Sequence, residues 1–183
     1  MTKQEFPLVV RGGQVLDVAT QSVRLADILI YGGSIVEVGR PEMEAPEGSV
    51  VIDANDCLVM PGLVNAHTHG HSSLGKGLGD KWSLELLLNA LPWAGGGLTL
   101  DDKETAAQLN AAEMILKGCT AAYDMFFEFP TPSEDGLRLA ARAYRDVGVR
   151  VQLAPMMADT TFYRAVPGLL DSLPAPHRER VET

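Results

Sequence analysis

Apolar residues come in short runs cut by turn signals up to residue 58, and in longer helical periods after about residue 83. In the first stretch, residues 6–10 meet Arg11-Gly12-Gly13 before the run 14–18, and residues 27–31 turn at Gly32-Gly33 into 34–38. Runs of this length bounded by paired glycines predict antiparallel hairpins. A loop rich in Pro and Glu, residues 41–48, precedes a further strand at 49–52. In the second stretch, residues 83–91 and 100–117 have helical character. Thr99 stands ready to cap the second of these helices, with Asp101 and Asp102 in its first turn and Lys117-Gly118 at its end. Residues 118–124 read as a strand, 133–147 as a helix closed by Gly148, and 149–155 as the next strand. Strands alternating with helices predict βαβ units and a parallel sheet, so the fold class is α/β. A further helix begins near Pro176, and no internal repeat or low-complexity tract is present.

Between the two stretches lies Pro61-Gly62-Leu63-Val64-Asn65-Ala66-His67-Thr68-His69, an apolar run that leaves a Pro-Gly turn and ends in two histidines spaced i, i+2. Side chains two apart on a strand share a face, so both imidazoles project together from its end. Neutral imidazole is a common ligand for zinc and ferrous iron. A His-x-His also arises by chance in polar loops, but the strand that leads into this pair favours a metal-site fragment.

The residues before the pair sharpen this. Gly33-Ser34-Ile35-Val36-Glu37-Val38-Gly39, then Val51-Ile52-Asp53-Ala54, lead into Val59-Met60-Pro61-Gly62 and the histidines. This layout resembles the amidohydrolase superfamily, metal-dependent hydrolases and deaminases built on a (β/α)8 barrel beside a small β-sandwich. One departure is Asp56, where the family usually has Gly; Asp tolerates a left-handed turn better than most residues. The resemblance implies part of the sandwich over residues 1–58 and the start of the barrel over 59–183. Barrel strands then fall near Leu63, Ala121 and Val151. It implies one divalent metal, zinc or alternatively iron, with His67 and His69 as ligands. The family's remaining ligands, an Asp among them, and its proton shuttle come from the fifth, sixth and eighth barrel strands, which are expected beyond Thr183. At 183 residues the chain falls short of the roughly 250 a full barrel takes. Three strands therefore make an incomplete barrel, the catalytic set is unfinished within it, and the chain alone is expected to be inactive.

Members with two metals, which open cyclic amides, commonly carry Asp two residues before the first histidine. Asn65 stands there, which looks more like the single-metal branch that removes ammonia or chloride from nitrogen heterocycles. The resemblance therefore implies a small-molecule heterocycle as substrate and a homo-oligomer as a possible assembly. Cyclic-amide hydrolysis is one alternative; a non-catalytic remnant or module completed by a partner chain is another. Candidate substrate contacts are His71, just past the strand, Trp82 in the long loop, and Asp124 at the end of the second barrel strand. Each has a plainer reading: a loop histidine facing solvent, an indole packing the loop (Trp93 likewise), and a capping or hydrogen-bonding carboxylate. Met156 and Met157 read as pocket wall or core.

Composition removes other classes. The net charge is −9 with no Lys/Arg cluster, which argues against nucleic acid. Cys57 and Cys119 are too few and too far apart for a disulfide framework or a Cys-x-x-Cys site. Neither an apolar leader nor a run near the ~18 residues of a membrane span occurs, so a cytoplasmic chain free of the membrane is expected. Gly75-Lys76-Gly77-Leu78-Gly79 lacks the Gly-Lys-Ser/Thr ending of a phosphate loop, and His-Glu-x-x-His, Gly-x-Ser-x-Gly and the Pro-Cys-x-x-Cys deaminase signature are all missing.

Overall fold

The computed structural model describes residues 6–128 and 131–182; residues 1–5, residues 129–130 and Thr183 lie outside the described residues. Two compact units divide at Pro61 and Gly62.

The first unit is a five-stranded sheet. Strands β1 (Leu8–Asp17), β2 (Ser22–Tyr31) and β3 (Ser34–Gly39) pair antiparallel in succession, as the glycine-bounded hairpins predict. Strands β4 (Val50–Asp53) and β5 (Leu58–Val59) instead run parallel to β1, because the Pro/Glu-rich loop carries the chain back before it re-enters the sheet. The register of β1 against β2 breaks between Val10 and Gly13, where Gly12 takes a left-handed φ of 76°. Such a bulge takes a backbone amide out of the ladder, and it needs another acceptor. The buried Asp27 supplies it: its Oδ1 accepts from Gly12 N at 2.9 Å and its Oδ2 from Met43 N at 3.2 Å. Val9, Ala26, Ile28, Met43 and Ala54 are buried, while Val23, Leu25, Ile35, Val50 and Val51 remain about half exposed. Asp56 adopts φ 61°, the left-handed turn expected of it.

The second unit holds a three-stranded parallel sheet in the order β6 (Leu63–Thr68), β7 (Cys119–Phe126), β8 (Arg150–Pro155). Helix α1 (Leu84–Gly95) runs one turn past the predicted end, and β7 extends two residues beyond Asp124. Helix α2 (Leu100–Leu116) joins β6 to β7, and α3 (Glu134–Val147) joins β7 to β8. Thr99 and Asp102 form a reciprocal capping box on α2, and Ser133 caps α3. Gly148 closes α3 at φ 99°, a conformation that favours glycine. The core is Ala107, Ala111, Met114, Ala122, Ala143, Tyr144 and Val149. Alanines on both helices leave room between them for the Tyr144 ring. Short helices α4 (Phe162–Ala165) and α5 (Leu169–Ser172) lead to α6 (Ala175–Glu182), the helix expected near Pro176.

Candidate metal and substrate site

The site grows from the C-terminal end of β6, where the chain passes from extended strand into a turn of 3-10 helix, Gly70–Gly75. His67 and His69 lie side by side there, ring centroids 5.2 Å apart and nearly perpendicular. His67 is exposed and His69 half-buried. Asn65 Oδ1 accepts from the His67 amide at 3.2 Å, and its Nδ2 approaches the Met114 sulfur, so Asn65 braces the strand.

His69 Nδ1 is 2.7 Å from the carbonyl oxygen of Met125. A carbonyl only accepts, so Nδ1 carries the hydrogen and Nε2 keeps its lone pair. This is the arrangement by which an outer partner fixes the tautomer of a metal-binding histidine. The donor chemistry of these two residues therefore fits a divalent metal. Among the described residues, no group of three or more His, Cys, Asp or Glu is placed to hold one.

Four consecutive residues at the end of β7 face this turn. Asp124, fully buried, accepts from Gly70 N at 3.2 Å and from the Tyr144 hydroxyl at 2.7 Å, both on Oδ2. Met125 holds His69. Phe126 and Phe127 flank the His71 ring at 4.7 and 4.5 Å. Behind them, Asn110 Nδ2 donates to the Tyr144 hydroxyl at 2.9 Å and to Thr68 Oγ1 at 3.2 Å. Burial raises the Asp124 carboxyl above its ordinary range, opposed by the Tyr144 and Gly70 hydrogen bonds. Tyr144 is also pushed up, by burial and then by the Asp124 charge.

His71 is 4% exposed, and neither ring nitrogen has a partner among the described residues. Burial, with His69 and Lys103 adding to it, lowers its pKa to about 4. The ring is therefore a neutral core group in this structure, not a solvent-facing loop histidine. Asp124 likewise lies under the turn. Trp82 is 41% exposed and packs beside Gly79 in the loop ahead of α1. Trp93 meets the His177 ring edge-on at 4.8 Å, which joins α1 to α6. Met156 and Met157 follow β8 and are exposed, outside the core.

A second cluster braces the segment that follows β7. Glu128 accepts from Lys103 Nζ at 2.5 Å and from the Ser133 amide and hydroxyl at 2.6 Å each. Burial works against its charge, but these donors prevail and hold the carboxyl below its usual range.

Tyr144, Asn110, Gly70 and the Met125 carbonyl were not legible as site residues. Asn110 and Tyr144 did carry a signal: each is a polar group on the small-residue face of its helix, beside Ala107 and Ala111 or Ala140 and Ala143.

A parallel α/β sheet with paired histidines at a strand's C-terminal end is the arrangement expected of the metal-dependent hydrolase family that the sequence resembles. Residues 58–183 match the amidohydrolase family, and the chain belongs to it. It is 44% identical over 124 residues to a 5-methylthioadenosine/S-adenosylhomocysteine deaminase of Haloarcula marismortui, covering 66% of this chain and 28% of that protein. It resembles the solved atrazine chlorohydrolase of Arthrobacter aurescens complexed with zinc at TM-score 0.69 and 26% identity, over 80% of this chain and 35% of that one. It also resembles an adenosine deaminase of Xanthomonas campestris with bound zinc, at TM-score 0.67 and 26% identity, over 79% of this chain and 32% of that one. The chain thus spans about a third of the length of the proteins it matches. No helix among the described residues is long and apolar enough to cross a membrane.

Proposed function

We propose that this chain is the first part of a metal-dependent aminohydrolase: β6, β7 and β8 are the opening strands of a (β/α)8 barrel, and residues 1–58 form part of its accompanying sandwich. The reaction is hydrolytic removal of ammonia, or of chloride, from a ring carbon of a nitrogen heterocycle. An adenosine-like nucleoside is favoured by the relatives' names. The observation that carries this reading is the 2.7 Å contact of His69 Nδ1 with the Met125 carbonyl oxygen, beside the exposed His67 ring. It assigns the hydrogen to Nδ1 and leaves Nε2 as the ligand atom.

In this reading His67 and His69 would hold one divalent ion, zinc or iron, together with donors beyond Thr183. A water held there by such an ion would have its pKa lowered towards neutrality and would serve as the nucleophile. The chain's own residues do the rest of what is visible here. Met125 fixes the His69 ring, Asn65 braces the strand below, and the Phe126–Phe127 pair with His71 walls the turn against solvent. The Trp82 indole, 41% exposed in the loop, would stack on a heteroaromatic ring. His71 and Asp124, buried beneath the turn, support it from the protein side and do not reach the substrate.

The test uses the protein as its source cells produce it. Zinc content is measured, with ammonia release from 5′-methylthioadenosine and chloride release from a chlorotriazine. His67→Ala and His69→Ala are each expected to abolish tight metal retention and turnover. Full metal content with normal turnover in either variant would sink the assignment.

A further inference from the structure

We propose that Asp124 is a positioning residue for His69: its carboxylate, held by Tyr144 and Asn110, grips the Gly70 amide and thereby sets the turn that aims the His69 ring. The inference rests on the metal-site reading above for its consequence in zinc affinity, but not for the geometry it describes.

Three observations carry it. The first is the order of the hydrogen bonds. Asn110 donates to Tyr144, Tyr144 donates to Asp124 Oδ2, and Gly70 N donates to the same oxygen. Asn110 also donates to Thr68, so the network holds the residue on each side of His69. The second is the absence of space at Gly70. A Cβ there would stand 2.1 Å from the Tyr144 hydroxyl oxygen, 2.9 Å from Asp124 Oδ2 and 3.0 Å from Asn110 Nδ2. The backbone is drawn in against the network as closely as glycine allows. The third is that β7 grips His69 twice from adjacent residues, Asp124 through the next amide and Met125 through the ring. The paired register from Asn65 to Thr68 is irregular, so regular strand pairing does not fix this end of β6.

Packing alone does not account for Asp124. A buried carboxylate without a cation costs stability, and among the described residues no cation pairs with Asp124 and its Oδ1 has no hydrogen-bond partner. What the carboxylate does achieve is to accept two donors at one point, the turn amide and a hydroxyl anchored on α3. An apolar side chain of similar shape would leave the Gly70 amide unpaired.

The test reads the His69 tautomer by ¹⁵N imidazole spectra, and Gly70 amide exchange, in the protein after chelation; zinc affinity is then measured by titration. Asp124→Leu removes the grip outright. Because that variant risks failing to fold, Tyr144→Phe and Asp124→Asn are measured beside it, with Leu139→Ala as a core truncation in α3. We expect the unaltered protein to show a single Nδ1–H tautomer. In Tyr144→Phe and Asp124→Asn the second tautomer emerges, Gly70 exchanges at least about tenfold faster, and zinc binding weakens by about 10- to 100-fold, the usual effect of losing an outer partner. Leu139→Ala should lower stability and leave tautomer and zinc affinity in place. An unchanged tautomer and exchange rate in both network variants overturns the proposal, as does an equal shift in Leu139→Ala. If the unaltered protein binds no zinc while tautomer and exchange respond as expected, the metal-site reading fails and the positioning role stands.

Discussion

Each unit buries one aspartate completely, and the two are held in different ways. Asp27 accepts two backbone amides, one on each oxygen, and has the Arg11 guanidinium 3.5 Å away. Asp124 accepts a hydroxyl and one amide on a single oxygen, with no ion pair to it among the described residues. The first arrangement is that of a group kept for the fold: the bulge in β1 leaves an amide unpaired, and the carboxylate takes it with its charge balanced. The second leaves negative charge uncompensated behind a turn whose histidines are read as cation ligands. A buried carboxylate is therefore informative about function according to what balances it, not by its burial.

The sharpest way to break this comparison is at the glycine each carboxylate serves. Gly70→Ala forces a methyl group into Tyr144, Asp124 and Asn110 together. We expect a loss of about 3 kcal/mol or more, because both overpacking and unpaired buried polar atoms contribute. Gly12→Ala meets mainly the Asn55 side chain, which is exposed and can move away at the loss of one exposed hydrogen bond to Asp53. Its cost is the left-handed φ of 76°, about 1–2 kcal/mol. Urea unfolding of the two variants compares them directly. A Gly70→Ala protein as stable as Gly12→Ala would show that the network yields easily and does not define the turn.

His71 offers the next largest effect, in acid. Its pKa of about 4 in the fold lies below the ordinary 6.5, because burial disfavours the charged ring. The unfolded chain then binds its proton first as pH falls. The neutral ring's contribution is complete above pH 6.5 and is lost as pH drops from there towards 4. The loss reaches roughly 3 kcal/mol at the lower end, taking 1.36 kcal/mol per pKa unit. Urea midpoints of the chelated protein across this window should slope downwards in acid, and His71→Leu should flatten the slope. Equal slopes in both proteins would mean that the ring is hydrated in solution.

What could be read in advance follows from which interactions are local. The hairpins of β1 to β3, the capping box at Thr99 and the Gly148 stop are decided by neighbours along the chain, and residue order alone predicts them. The His67–His69 pair was legible for the same reason, since strand geometry puts i and i+2 on one face. Parallel pairing of β4 with β1 was not, because it depends on how a loop returns. The surroundings of His69 were hidden too: Met125, Asn110 and Tyr144 lie 56, 42 and 34 residues from their partners in the network. Asp124 was singled out as a site residue from its place at a strand end, but its contact is with Gly70, which only the fold reveals.

The smallest effect draws the line between the two carboxylates most cleanly. Asp27→Asn keeps the side chain's size and removes the charge facing Arg11. One of the two backbone amides it serves, Gly12 or Met43, then meets a side-chain NH2 group instead of an oxygen. Arg11 is 37% exposed, so water takes over part of its solvation. We expect a loss of about 1–2 kcal/mol, confined to stability. Zinc affinity and the His69 tautomer should not move. Asp124→Asn, a change of the same chemistry at the same degree of burial, should shift both. Running the pair through one zinc titration separates a carboxylate that serves the fold from one that aims a ligand. Equal zinc affinities in the two variants would erase that distinction and leave Asp124 as a second structural brace.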